Sequence, residues 1–198
     1  MAQPLPIPPP SPASDDIVLL RNASWADFER MCEMRGEHGV PRLAYLQGVI
    51  ELMSPSRSHE SIKSMIGCLL EAYCVEMGIE LSPYGSWTHK SPAAERAAEP
   101  DECYVFGDVA EPARADLAIE VQWSQGGLDK LEIYRKLGVK ELWIWRDGAI
   151  TPFVLQGDHY EASSMSERLP ELDLALLCRY VCVQPMTRAV REFLAQFR

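Results

Sequence analysis

Residues 115–123 read Ala-Asp-Leu-Ala-Ile-Glu-Val-Gln-Trp, and the reading of this stretch decides the fold. The apolar residues recur at every second position, the period of a strand, whose successive side chains point to opposite faces. Leu117, Ile119, Val121 and Trp123 then share one face, while Asp116, Ala118, Glu120 and Gln122 share the other. A half-exposed strand would show the same split, so the alternation takes its meaning from what flanks it.

Nineteen residues before Glu120 stands Pro100-Asp101, directly ahead of a run from Glu102 to Phe106 that reads as a second strand. The proline restrains the entry of the chain and sets Asp101 at the strand's beginning. Two neighbouring strands can bring Asp101 and Glu120 side by side. Carboxylates so placed repel unless a proton or a cation relieves them. Mg²⁺ is the natural cation, since it prefers hard oxygen ligands and uses one or two carboxylates together with substrate phosphate. Mn²⁺ is expected to substitute for it, because carboxylate and water ligands suit both ions.

On the other side of Glu120 a helix is predicted over Leu128 to Leu137, stopped by Gly138. Its positions 130, 133, 134 and 137 are Lys, Ile, Tyr and Leu, so Lys130 falls on the apolar stripe that should face a sheet. An inward ammonium can meet charge developing on a phosphate or orient an attacking water. The alternative is a lysine at the stripe's end that snorkels to solvent. Both readings stand at this point.

Further out, Ser24 and Asp27 predict a capped helix over about 25 to 35. Arg42 to Leu46 and Val49 to Met53 predict a hairpin around Gln47-Gly48. Ile62, Met65, Ile66, Leu69, Leu70 and Tyr73 form a core-facing helical stripe, with Ser58 as its cap and Gly78 as its stop. A short strand is expected over Tyr84 to His89, and a second hairpin joins Glu141–Arg146 to Ala149–Leu155 through Asp147-Gly148. A strand over 159–162, an irregular stretch and a helix near 187–197 complete the chain. The class is α/β: one domain over residues 15–198, behind an arm over residues 1–14 whose six prolines and lack of charge predict a disordered or polyproline-like segment.

The formal net charge of −10, without a basic run, argues against broad coating of nucleic acid through many phosphate contacts. No apolar run approaches the roughly 18 residues of a membrane span, and no export signal opens the chain, so a cytoplasmic protein off the membrane is expected. The six cysteines form no CxxC pair and read as reduced thiols. The four histidines lack zinc-ligand spacing.

The frame Pro100-Asp101, followed nineteen positions on from Asp101 by Glu120-Val121-Gln122, resembles the PD-(D/E)XK nuclease motif. The series Asp129-Lys130, Tyr134, Gly138-Val139, Glu141 and Trp143-Ile144 is similar to the Uma-type restriction endonuclease family. The likeness runs from about Tyr45 to Leu155 and takes in Gly48 to Glu51, Met53-Ser-Pro55 and His59. The resemblance implies a restriction endonuclease-like fold, with a mixed central β-sheet flanked by α-helices, and a Mg²⁺-dependent site that hydrolyses DNA phosphodiesters. It implies Asp101 and Glu120 as metal ligands, joined by the carbonyl of Val121. Gln122 occupies the position where the wider superfamily carries lysine, and Lys130 is expected to take over that role.

Glu51 is either an extra metal ligand or an exposed hairpin glutamate. His59 either touches phosphate and orients water or is hydrogen-bonded at the edge of the core. A non-catalytic nuclease-fold protein that binds or regulates is the rival reading, motivated by Gln122 and the acidic charge. A hydrolase of another phosphate ester would share the site. A two-fold homodimer is the expected assembly, as in many restriction-type nucleases.

Overall fold

Strand β1 spans Asp16–Arg21, a short apolar run bounded by charge, and helix α1 spans Trp25–Arg35. These belong to a computed structural model that describes residues 14–123 and 127–197. The expected proline-rich arm lies outside the described residues except for Ser14. Ser24 and Asp27 form a reciprocal capping box at the start of α1, as their spacing predicts.

Strands β2 (Arg42–Leu46) and β3 (Val49–Ser54) form the predicted hairpin. Its turn residues Gln47 and Gly48 both take positive φ, 40° and 86°, the twist that suits a two-residue hairpin loop. Helix α2 covers Arg57–Met77 and ends at Gly78 in the left-handed conformation. Its cap is Ser56, not Ser58, because the Ser56 hydroxyl accepts the third N–H of the helix, that of His59. All six residues of the predicted stripe are buried, each contributing roughly 1.5–3 kcal/mol relative to exposure.

The strand expected over Tyr84–His89 is displaced: β4 is Leu81–Pro83 and β5 is His89–Ser91. Gly85, at φ 56°, turns the chain where an extended backbone would have been needed. Then follow β6 (Arg96–Ala98), β7 (Glu102–Phe106), β8 (Leu117–Val121), α3 (Lys130–Leu137), β9 (Glu141–Arg146), β10 (Ala149–Gln156) and β11 (His159–Ala162). The stretch expected to be irregular holds α4 (Leu174–Val181), capped by Asp173, and α5 covers Met186–Leu194.

These strands make two sheets, not one. The six-stranded sheet runs β11-β10-β9-β8-β7-β4 and is mixed, with β8 and β9 parallel. The five-stranded sheet runs β1-β3-β2-β6-β5 and is antiparallel throughout. The second sheet grows from the β2–β3 hairpin, whose two open edges accept β1 and β6. On the mixed sheet, Leu117, Ile119 and Val121 of β8 join the core built with α2, α4 and α5. Ala118 joins Ala44 of β2 and Ile133 and Tyr134 of α3 in the core on the opposite face. The alternation read from residues 115–123 is therefore the division between two buried layers, with β8 covered on both sides.

Candidate active site

Glu120 lies on the face of β8 that looks toward α3 and the antiparallel sheet, and it is only 2% exposed. Its Oε1 accepts a hydrogen bond of 2.6 Å from the Tyr134 hydroxyl, while Oε2 stands 3.8 Å from the Lys130 ammonium. Burial pushes this carboxyl up, Lys130 pulls it down, and the neighbouring charges of Asp101 and Glu51 add to the rise, leaving it at about 7.

Lys130 is the first residue of α3, whose stripe packs inward through Ile133 and Tyr134. Its side chain is 10% exposed, and Nζ lies 3.0 Å from Glu51 Oε1. Burial disfavours the ammonium, but Glu120 and Glu51 outweigh that and hold it protonated. The inward reading of Lys130 is the one the geometry supports, against snorkelling. Glu51, directly opposite Ala44 in the hairpin, is 2% exposed. Its Oε2 accepts the Leu128 N–H at 2.6 Å, so this glutamate clamps the approach to α3 and is not an exposed hairpin residue.

Asp101 sits one layer deeper and is fully buried. The Asp101 N–H bonds the Ile119 carbonyl at 3.1 Å, extending the pairing of β7 with β8. Its Oδ2 accepts the Val121 N–H at 2.6 Å, and its Oδ1 is ion-paired with Arg42. His59 Nε2 stands 2.9 Å from the same Oδ1 without hydrogen-bond alignment, so that contact is one of charge. His59 Nδ1 meets Asp15 at 2.7 Å. Burial works against the imidazolium, yet the carboxylates of Asp101 and Asp15 raise the His59 pKa to about 9. Conversely, burial favours a neutral Asp101, but His59 and Arg42 hold its carboxyl below the usual range.

A cleft of about 570 Å³ opens beside this cluster. Glu51, Glu120, Gln122, Lys130 and Arg146 line it, with Ile17 and Phe153 among its apolar walls. Asp101 and His59 do not line it; they stand behind Glu120. The Gln122 amide oxygen accepts a hydrogen bond of 2.5 Å from Arg146, at the end of β9. The predicted residues therefore divide into a cleft group, Glu51, Glu120, Gln122 and Lys130, and a buried group, Asp101 and His59, joined through the backbone of Val121.

The site contacts of four neighbours escaped the sequence reading. Tyr134 lies one helical turn after Lys130, a spacing that could have revealed it. Arg42 shares the strand face of Ala44 and Leu46, an alternation that was likewise legible. Asp15 carries no local signal, being forty-four positions from His59. Arg146 meets Gln122 only because β8 and β9 run parallel in one register.

The donor chemistry suits a hard divalent cation: buried carboxylates gather around Glu120, whose proton affinity is raised by burial first and by their repulsion second. The oxygens of Asp101 and Glu51 already accept protein donors, while Glu120 Oε2 accepts no hydrogen bond from the described residues. Among the described residues, no three His, Cys, Asp or Glu side chains converge as a ready-made ion cage.

Comparison with known proteins agrees with this architecture. A crystal structure from Anabaena variabilis ATCC 29413, described as "a putative nuclease belonging to DUF820", superposes with a TM-score of 0.50 at 16% identity, covering 70% of this chain and 92% of that one. At that identity the likeness is one of fold. No curated protein matches the sequence. The family model described as "Uma2: Putative restriction endonuclease" matches residues 25–183, and the chain belongs to that family.

Proposed function

We propose that the chain is a divalent-metal-dependent endonuclease that hydrolyses DNA phosphodiesters in the cleft between Glu51, Glu120 and Lys130. The observation that carries this reading is the buried Lys130 ammonium, shared by two glutamates at the floor of an open cleft. Glu120 and Asp101 would hold Mg²⁺ or Mn²⁺, with Glu51 and the carbonyl of Val121 as further donors. The cation, when bound, supplies Lewis acidity toward phosphate and water.

The chain's own groups divide the other tasks. Lys130 is kept protonated by its carboxylate neighbours, so it acts as a fixed positive charge toward phosphate and not as a base. Tyr134 holds Glu120 Oε1 and thereby turns Oε2 toward Lys130. Arg42 and His59 neutralise Asp101 from behind, which keeps a carboxylate ionised in a place without water. We take residues 15–198 as one working unit, in the cytoplasm, acting as a two-fold dimer; light scattering checks the assembly. Among the described residues no helix is long and apolar enough to cross a membrane.

Nicking of supercoiled plasmid in Mg²⁺ or Mn²⁺ tests the proposal. Wild type should nick, and Glu120→Gln should lose at least about a hundredfold in rate. Equal nicking by both sinks it. Glu120→Gln is the better probe, since Asp101→Ala also strips Arg42 and His59 of the counter-ion they share. A second reading, a nuclease fold kept for binding or regulation, is favoured by the protein's own donors already engaging Asp101 and Glu51. Absence of Mg²⁺ binding at millimolar concentration in calorimetry would support it.

A further inference from the structure

We infer that Arg146, held by Gln122, is the residue through which the cleft grips a phosphate of the nucleic-acid strand next to the one being cut. This rests on the nuclease reading of the same cleft.

Of the two cations that line the cleft, Lys130 lies against Glu51 and Glu120, so most of its charge is answered within the protein. Arg146 differs. Among the described residues no carboxylate pairs with it, and its side chain is anchored by the neutral amide oxygen of Gln122. An amide fixes the guanidinium in place without cancelling its charge. A glutamate in the same position would fix it and cancel the charge.

The placement follows from the parallel register. Glu120 lies opposite Ile144, and Gln122 donates its N–H to the Trp145 carbonyl at 2.9 Å, so the side chains of Gln122 and Arg146 project side by side from the face that carries Glu120. Gln122 stands two residues beyond Glu120, about 6–7 Å along an extended strand. That spacing is comparable with the distance between successive phosphates of a nucleic-acid strand. A guanidinium presents paired donors that match phosphate oxygens. Ile144 and Phe153 form apolar walls that no phosphate would choose, and Thr151 offers only a neutral hydroxyl, so Arg146 is the cationic contact on this side among the described residues.

Gln122 is then a positioning residue. Its amide oxygen holds the guanidinium that projects from the neighbouring strand.

Binding of a short fluorescein-labelled DNA duplex by the full chain, followed by anisotropy in EDTA over a range of NaCl concentrations, tests this alongside steady-state cleavage in Mg²⁺. Arg146→Gln should raise Kd and KM by about tenfold or more, with kcat within about twofold of wild type. The magnitude of its slope of log Kd against log salt should fall by about one phosphate contact's worth. Arg146→Lys should recover part of the affinity. Gln122→Glu should weaken binding in the same way with the arginine still present, while Gln122→Leu should leave the salt slope near wild type. An unchanged Kd and slope in Arg146→Gln, or a fall in kcat at constant KM, overturns the inference while leaving the nuclease reading intact. Wild-type protein that neither binds nor cuts the duplex overturns both.

Discussion

At His59, a single imidazole stands between two carboxylates, Asp15 at 2.7 Å and Asp101 at 2.9 Å, with no exposed surface. Its folded pKa of about 9 lies above the ordinary 6.5. A raised basic pKa contributes stability that is fully present below pH 6.5 and is lost as pH rises through 9. The contribution is at most on the order of 3 kcal/mol. The stability gap between wild type and His59→Gln, measured by urea unfolding, should therefore narrow as pH climbs from about 6.5 to 9.5. A gap that stays constant across that window would mean His59 is neutral in the folded protein. His59 lies three and seven positions before Ile62 and Ile66, which turns it inward, but the sequence could not tell a phosphate contact from a hydrogen-bonded histidine at the core's edge. That distinction needs Asp15, which no local pattern connects to the helix.

Elements set how firmly these residues are held. Helix α2 crosses the mixed sheet at Gly67, where an added Cβ would come within 2.9 Å of the Tyr104 hydroxyl. Alanine would relieve the helix of a glycine, worth about 1 kcal/mol. It would also collide with a fully buried tyrosine that donates to Glu71 at 3.2 Å, and overpacking of this kind costs about 1–3 kcal/mol. Gly67→Ala should be net destabilising by roughly 1 kcal/mol in thermal or urea unfolding; a stabilised variant would show that Tyr104 swings aside freely. Element boundaries were legible at several local caps and turns: Ser24, Gly78, Gly138 and the turn Asp147-Gly148 sit where the sequence places them, while the α2 cap lies two residues before the expected Ser58. The larger errors fell where tertiary contact decides. Strand β1 forms because β3 offers it an edge, and α4 forms because Leu174, Leu176 and Leu177 find a core beside α2.

For the whole molecule, charge and topology pull in different directions. A net charge of −10 repels a polyanion, so attraction must be confined to the few cations that line the cleft. DNA binding should accordingly show a shallow salt dependence, a log–log slope of about −2 or weaker, where a protein with a broad basic face gives −6 to −10. Anisotropy titrations between low and moderate salt measure it, and a steep slope would place the DNA on a surface other than this cleft. The stripe position of Lys130 left two readings open in the sequence, and its approach to Glu120 at 3.8 Å decides between them. What the sequence could not foretell was the second sheet, because its strands are short, are scattered between residues 16 and 98, and are assembled only by long-range antiparallel pairing.

That second sheet ends at β1, an edge strand on which Val18 and Leu20 are exposed. Edge strands fray before central ones, and β1 carries Ile17 into the cleft wall just after Asp15, which grips both His59 and the Ser56 N–H. An edge ribbon is thus the hasp on a buried set of charges: a protease nick or a trimmed expression boundary at residue 16 would unlatch the imidazole without touching a single residue of the motif.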